Sequence, residues 1–132
     1  MTEHDLTRDL LTLLREEFED RLRGVVFKHA DYATTGIPDI TTTLYARTAW
    51  WEVKRADPFI KGTGLQHLTA RRLASAGHCW YIVYEEILGR WRTCLVRPQD
   101  VDATGRFSCL SHWTNDINHQ FVLDFMRRVH HV

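Results

Sequence analysis

The chain has 132 residues and a mass of 15.6 kDa, with 17 Lys+Arg against 17 Asp+Glu and a formal net charge of zero. That length suits a single domain spanning residues 1–132, and the 44% hydrophobic content supports a core, but no apolar run reaches the roughly 18 residues of a membrane span. The start Met1 to Leu6 lacks the basic stretch of a signal peptide, and Cys79, Cys94 and Cys109 are odd in number and far apart, so a reducing, cytoplasmic setting without a membrane is expected.

Zero net charge conceals a division. Residues 1–53 hold 6 Lys+Arg against 10 Asp+Glu (net −4), residues 54–97 hold 8 against 3 (net +5), and residues 98–132 hold 3 against 4 (net −1). An acidic segment followed by a basic one suits a chain that handles cations and phosphates together, with association that weakens as salt rises. Scattered surface arginines are the plain alternative.

The spacing of Leu6, Leu10, Leu13, Leu14 and Phe18 predicts a first helix over residues 5–22 with an apolar stripe. Glu17 falls inside that stripe, whereas Glu16, Glu19 and Asp20 fall outside it. A carboxylate there needs a partner, either a metal site or the nearby Arg21. Gly24 ends the helix and Val25 to His29 reads as a strand, with His29 and Tyr32 leading into a turn at Gly36.

The densest chemistry lies in residues 36–54, Gly-Ile-Pro-Asp-Ile-Thr-Thr-Thr-Leu-Tyr-Ala-Arg-Thr-Ala-Trp-Trp-Glu-Val-Lys. Pro38 is a poor central-strand residue, so Asp39 stands at the mouth of a strand running from Ile40 to Tyr45. Ala49 to Val53, aromatic and β-branched, reads as the next strand, reached by a hairpin around Arg47 that brings Asp39 alongside Glu52. Side chains alternate along a strand, so Glu52 and Lys54 share one face and Trp51 and Val53 the other. Two carboxylates at one point repel unless a proton or cation sits between them, and an all-oxygen site favours Mg²⁺, with Mn²⁺ as its substitute. With a lysine beside it, this set describes phosphodiester hydrolysis: the metal acidifies water and neutralises phosphate charge. The plain alternative is a cross-strand ion pair between Glu52 and Lys54, with Asp39 as a turn residue.

After Lys54, Arg55 to Gly64 reads as a loop at the mouth of the site, carrying Arg55 and Lys61. A helix over 65–76 follows, with Leu65, Leu68, Leu73 and Ala76 expected inward and Arg71 and Arg72 outward. Residues 63–66 also match a capping box, in which Gln66 would reach back to Thr63. His78 to Tyr84 reads as a strand covered on both faces, and Arg90 to Val96 as its hairpin partner, with Arg90 and Arg92 on one face. Residues 99–113 read as turns. A last helix is expected to start near Thr114 or Asn115 with Ile117, Phe121, Phe125 and Val129 in register, its stripe free to cover the sheet or pair two subunits. Cys109, His112, His119 and His130 match no finger or ribbon spacing, so no structural zinc is expected.

Pro38-Asp39 followed by Glu52-Val53-Lys54 resembles the PD-(D/E)XK nuclease superfamily, and more specifically its Holliday junction resolvase-like and VRR-NUC-like members. The likeness extends loosely through Gln66 to the strand at Tyr81. It implies an α/β, restriction-endonuclease-like core: a central mixed β-sheet flanked by α-helices. It further implies an Mg²⁺-dependent endonuclease acting on DNA, with selectivity for branched or junction substrates and a homodimer as one arrangement. In that pattern Asp39 and Glu52 bind the metal, Lys54 orients water or stabilises phosphate charge, and Glu17 takes the first-helix glutamate's role beside the metal. Gln66 takes the helix glutamine's role at the DNA backbone or the water. Lys54, Arg55, Lys61, Gln66, Arg71, Arg72, Arg90 and Arg92 are then the candidate nucleic-acid contacts. The rival reading is a non-catalytic nucleic-acid-binding or protein-interaction module on the same scaffold.

Overall fold

A computed structural model of the chain describes residues 3–29, 38–61, 64–76, 78–113, 124 and 127–130. The apolar stripe of the first 20 or so residues forms helix α1 (Glu3–Leu14), which continues as a π-helical segment over Arg15–Arg21. Leu6, Leu10, Leu14 and Phe18 are buried as the spacing requires, and Leu11 joins them, while Leu13 packs at the rim. The helix starts two residues earlier than the sequence suggested, at Glu3, and that shift matters below.

The strands are β1 (Val25–Lys28), β2 (Ile40–Leu44), β3 (Arg47–Ala56), β4 (Cys79–Ile87), β5 (Arg90–Val96) and β6 (Ser111–Trp113). They form one six-stranded sheet in the order of the chain, β1-β2-β3-β4-β5-β6. All neighbours are antiparallel except β3 and β4, which run parallel because helix α2 (Gly64–Ala76) carries the chain back between them. The sheet is thus mixed. The hairpin between β2 and β3 turns at Tyr45 and Ala46, both with positive φ, and pairs Leu44 with Arg47, so Arg47 begins the strand and is not the turn.

Two apolar layers sandwich the sheet. On one face α1 packs on Ile40, Trp51, Val53, Ile82, Tyr84 and Leu95. On the other, Ala70 of α2 packs with Tyr81, Val83, Cys94 and Val96. Residues 99–113, which the sequence left as turns, supply β6 and, with a 3₁₀ turn over Pro98–Asp100, bring Val101 to this second layer. The inward face of α2 also differs from expectation: Leu68 is 45% exposed and Ala76 is exposed, while Ala70 is buried and Leu73 half-buried. One end of α2 lies over Glu52 and Lys54 and carries Gln66 there, while Ala70, Leu73 and Ala74 meet the apolar part of the sheet.

A final helical turn, α3 (Arg127–His130), buries Val129 and His130. The His130 imidazole reaches Thr42 Oγ1 at 2.8 Å, and the same oxygen accepts from Trp51 Nε1 at 2.7 Å, which ties the chain's end to the sheet. The expected start of the last helix, with Ile117, Phe121 and Phe125, lies outside the described residues, as do Tyr32, Gly36, Thr63 and His119.

Candidate active site

β3 is longer than β2, and the difference shapes the site. β2 begins at Ile40, which pairs with Trp51, so beyond Trp51 the edge of β3 that faced β2 has no strand beside it among the described residues. Unpaired backbone N–H groups on a strand edge need acceptors. Carboxylates supply them here: the Val53 amide donates to the Asp39 carboxyl, and the Arg55 amide donates to Glu3 Oε2 at 2.9 Å. One register step before Ile40, Asp39 is set opposite Glu52, and alternation turns both to the α2 face.

That face is not solvated. Glu52 is 3% exposed and Lys54 5%, because α2 covers them. From α2, Gln66 donates through Nε2 to Glu52 Oε1 at 2.8 Å and accepts from Lys54 Nζ at its own Oε1. Lys54 Nζ stands 3.8 Å from Glu52 Oε1. Amide, ammonium and carboxylate therefore close a small triangle beneath the helix.

Burial pushes the Glu52 carboxyl up to about 8, with the Asp39 charge adding to the rise and Lys54 opposing it. Asp39 is raised as well, by burial first and by the Glu3 charge, against the stabilising hydrogen bond with Glu52 and the Lys54 charge. The hydrogen bond between the two acids needs a proton on one of them; once both are ionised neither can donate to the other, and Glu52 Oε2 has no other hydrogen-bond partner among the described residues. A proton or a cation between the two acids removes that conflict. The donors are all oxygens, and Asp39 is only half-buried, so the residues present fit a hard divalent ion such as Mg²⁺.

The remaining candidates are distributed differently. Glu17 forms an ion pair with Arg21 at 3.1 Å on the helix surface, and the first-helix acid whose charge reaches Asp39 is Glu3, one end of α1 rather than its middle. Arg55 falls on the opposite face from Lys54 and lies over the Trp91 ring at 5.4 Å. Arg92 is bound to Glu85, its cross-strand neighbour, while Lys61, Arg71, Arg72 and Arg90 are exposed. Two further groups flank the site without having been singled out. Tyr81 is the register partner of Glu52 on β4, and its hydroxyl lies 2.9 Å from His67 Nδ1. His67 is held below the usual histidine range by burial and then by the Arg71 charge. Only the parallel β3–β4 pairing brings them in, and no local signal announces that pairing.

No protein-family model matches the chain, and no curated protein sequence does. Among solved structures it is similar to Hjc of Archaeoglobus fulgidus, a Holliday junction resolvase from an archaeal hyperthermophile. The two share 16% sequence identity with a TM-score of 0.54 over 79% of this chain and 84% of that one. The chain has the restriction-endonuclease-like fold. At this identity the likeness is one of architecture, a mixed sheet flanked by helices. Within this restriction-endonuclease-like core, Asp39, Glu52, Lys54 and Gln66 meet where β2 starts and α2 crosses back.

Proposed function

We propose that the protein is a divalent-metal-dependent nuclease that cuts DNA, with branched DNA as the preferred substrate. The observation that carries this reading is the meeting of Asp39 and Glu52 with Lys54 on one sheet face, held by Gln66 from the covering helix. The likeness to a junction resolvase supports the choice of branched DNA, and a homodimer would place two sites on one such substrate. Asp39 and Glu52 would hold the ion, with Glu3 in its outer sphere, the place the resemblance had given to Glu17. When bound, Mg²⁺ or Mn²⁺ acidifies water and neutralises phosphate charge.

The protein's own groups then divide the work. Asp39, the more open carboxyl, receives the incoming phosphate side of the site. Glu52 accepts from Gln66 and so holds the helix and strand in fixed relation. Lys54, restrained by the Gln66 carbonyl oxygen, directs a single ammonium at the phosphate oxygens or the attacking water, where prior positioning lowers the barrier. Exposed Lys61, Arg71 and Arg72 would guide the backbone, whereas Arg55 lies over Trp91 and Arg92 is bound to Glu85.

Four-way junctions, flaps, linear duplex and single strands, incubated with Mg²⁺ or Mn²⁺, test the proposal. Cleavage by the wild-type chain and its loss in Asp39→Asn is the expected result, with binding to DNA retained. Salt-sensitive binding with no cleavage of any substrate would show a binding module instead, and metal-dependent cleavage by Asp39→Asn would show that the site lies elsewhere.

A further inference from the structure

The same sheet face carries a second cluster, offset from the acidic site along β4. Glu85 lies opposite Ala56 of β3, two residues past Lys54, and opposite Arg92 of β5. Cys94 of β5 is fully buried, and Cys109 approaches from the segment before β6, whose Leu110 amide donates to Leu95 carbonyl oxygen at 2.9 Å. One carboxylate oxygen of Glu85 and the Sγ atoms of Cys94 and Cys109 all lie within 4.8 Å of one another.

A cross-strand ion pair accounts for Glu85 and Arg92 but not for two sulfurs gathered on the same carboxylate. A disulfide would account for the sulfurs but not for the carboxylate. One cation accounts for all three. In a tetrahedral zinc site with Zn–S near 2.3 Å and Zn–O near 2.0 Å, neighbouring S and O donors stand roughly 3.5 Å apart and two sulfurs roughly 3.8 Å. Without metal the Cys94 thiol donates to Glu85 Oε1 with Sγ and Oε1 3.6 Å apart, so a cation would replace the thiol proton at a spacing already close to that of a zinc site.

We propose that Glu85, Cys94 and Cys109 form a site for a thiophilic divalent cation of the zinc class, with water in the fourth position. Two thiolates and a carboxylate leave such a complex one negative charge in excess. Arg92, whose Nε donates to Glu85 Oε1 at 2.7 Å, neutralises it, and a carboxylate has lone pairs enough to serve guanidinium and metal together. Binding displaces the two thiol protons to solvent and leaves both sulfurs reduced. The site is separate from the oxygen-only cluster at Asp39 and Glu52, and donor softness sorts the ions: hard Mg²⁺ to oxygens, zinc to sulfur. Its structural effect is to fasten the segment before β6 to the β4–β5 hairpin.

The test uses the full chain, reduced and stripped of metal, titrated with Co²⁺ without oxygen and then with Zn²⁺. One Co²⁺ per chain with a thiolate-to-cobalt charge-transfer band, bleached by Zn²⁺, is expected. Cys109→Ser, at a half-buried position, and Glu85→Gln should weaken binding more than about tenfold, since even outer-shell partners are worth that much. Because Cys94 is in the core, Cys109→Ser is the deciding variant. Asp39→Asn should leave the band unchanged, so this result stands whichever way the nuclease reading falls. No charge-transfer band in the reduced wild-type chain, a band that survives in Cys109→Ser, or formation of a Cys94–Cys109 disulfide in place of metal capture would overturn the proposal.

Discussion

Replacing Glu52 with Gln removes a buried charge while keeping the shape and the oxygen that accepts from Gln66 Nε2. In the folded chain the Glu52 carboxyl is raised from 4.5 to about 8. The native state therefore holds this proton more tightly than the unfolded state does. Stability from the group is complete below 4.5 and is lost as pH rises through about 8. At 1.36 kcal/mol per pKa unit the ionised side chain destabilises the metal-free fold by up to about 5 kcal/mol above that pH, an upper bound because Asp39 and Lys54 share the site. Glu52→Gln has no such charge. Without divalent ions its Tm should equal the wild type's in acid and exceed it increasingly towards alkaline pH, by roughly 3 °C per kcal/mol for a chain of this size. Thermal unfolding followed by circular dichroism across pH, in chelator and then in Mg²⁺, measures this. Saturating Mg²⁺ should narrow the gap, raising the wild type by about 2.7 kcal/mol at a hundredfold excess over Kd and leaving Glu52→Gln unmoved. A stability gap that ignores pH, or a variant less stable than wild type in alkaline chelator, would refute the conflict between Asp39 and Glu52 on which the site rests.

Further outcomes follow from individual contacts. Glu3→Gln should cut Mg²⁺-dependent DNA cleavage by about tenfold to a hundredfold, as outer-sphere partners do; single-turnover rates decide it. Gln66→Ala unties Lys54 from α2 and should lower the cleavage rate about a hundredfold with little change in DNA affinity, separated by rate and binding measurements on one substrate. Ala46→Gly relieves a positive φ in the β2–β3 hairpin and should raise stability by about 0.5–1 kcal/mol in urea unfolding. Gly105→Ala should lower it by about 1–3 kcal/mol, because Gly105 has φ +87° and an added Cβ would overlap the Ile60 carbonyl oxygen.

Much of the scaffold was legible along the chain. The leucine spacing marked α1, the aromatic and β-branched runs marked β3 and β4, and the alternation of Glu52, Val53 and Lys54 set which side chains share a face. Those features are local: a period of 3.6 or 2 is written into neighbouring residues and survives any folding of the rest. Boundaries were less secure, and starting α1 at residue 5 rather than at Glu3 hid the acid that reaches β3. The wheel put Glu17 inside the apolar arc, with a metal site or Arg21 as its partner; its side chain is 12% exposed and pairs with Arg21, one of those two partners.

What the sequence by itself determined is the set of short-range choices: helix here, strand there, acid and lysine on one face, a bend that leaves Asp39 at a strand's mouth. Only the tertiary structure decided which distant groups meet. The offset of β2 against β3 brought Asp39 and Glu3 to a bare strand edge, the crossover of α2 brought Gln66 over Lys54, and the β5 register brought Cys94 to Glu85 before Cys109 joined them. Side-chain periodicity acts over a few residues and is carried by steric and solvation preferences alone. Convergence across 9 to 52 positions depends on strand register and helix crossing, which are selected by packing of the whole core.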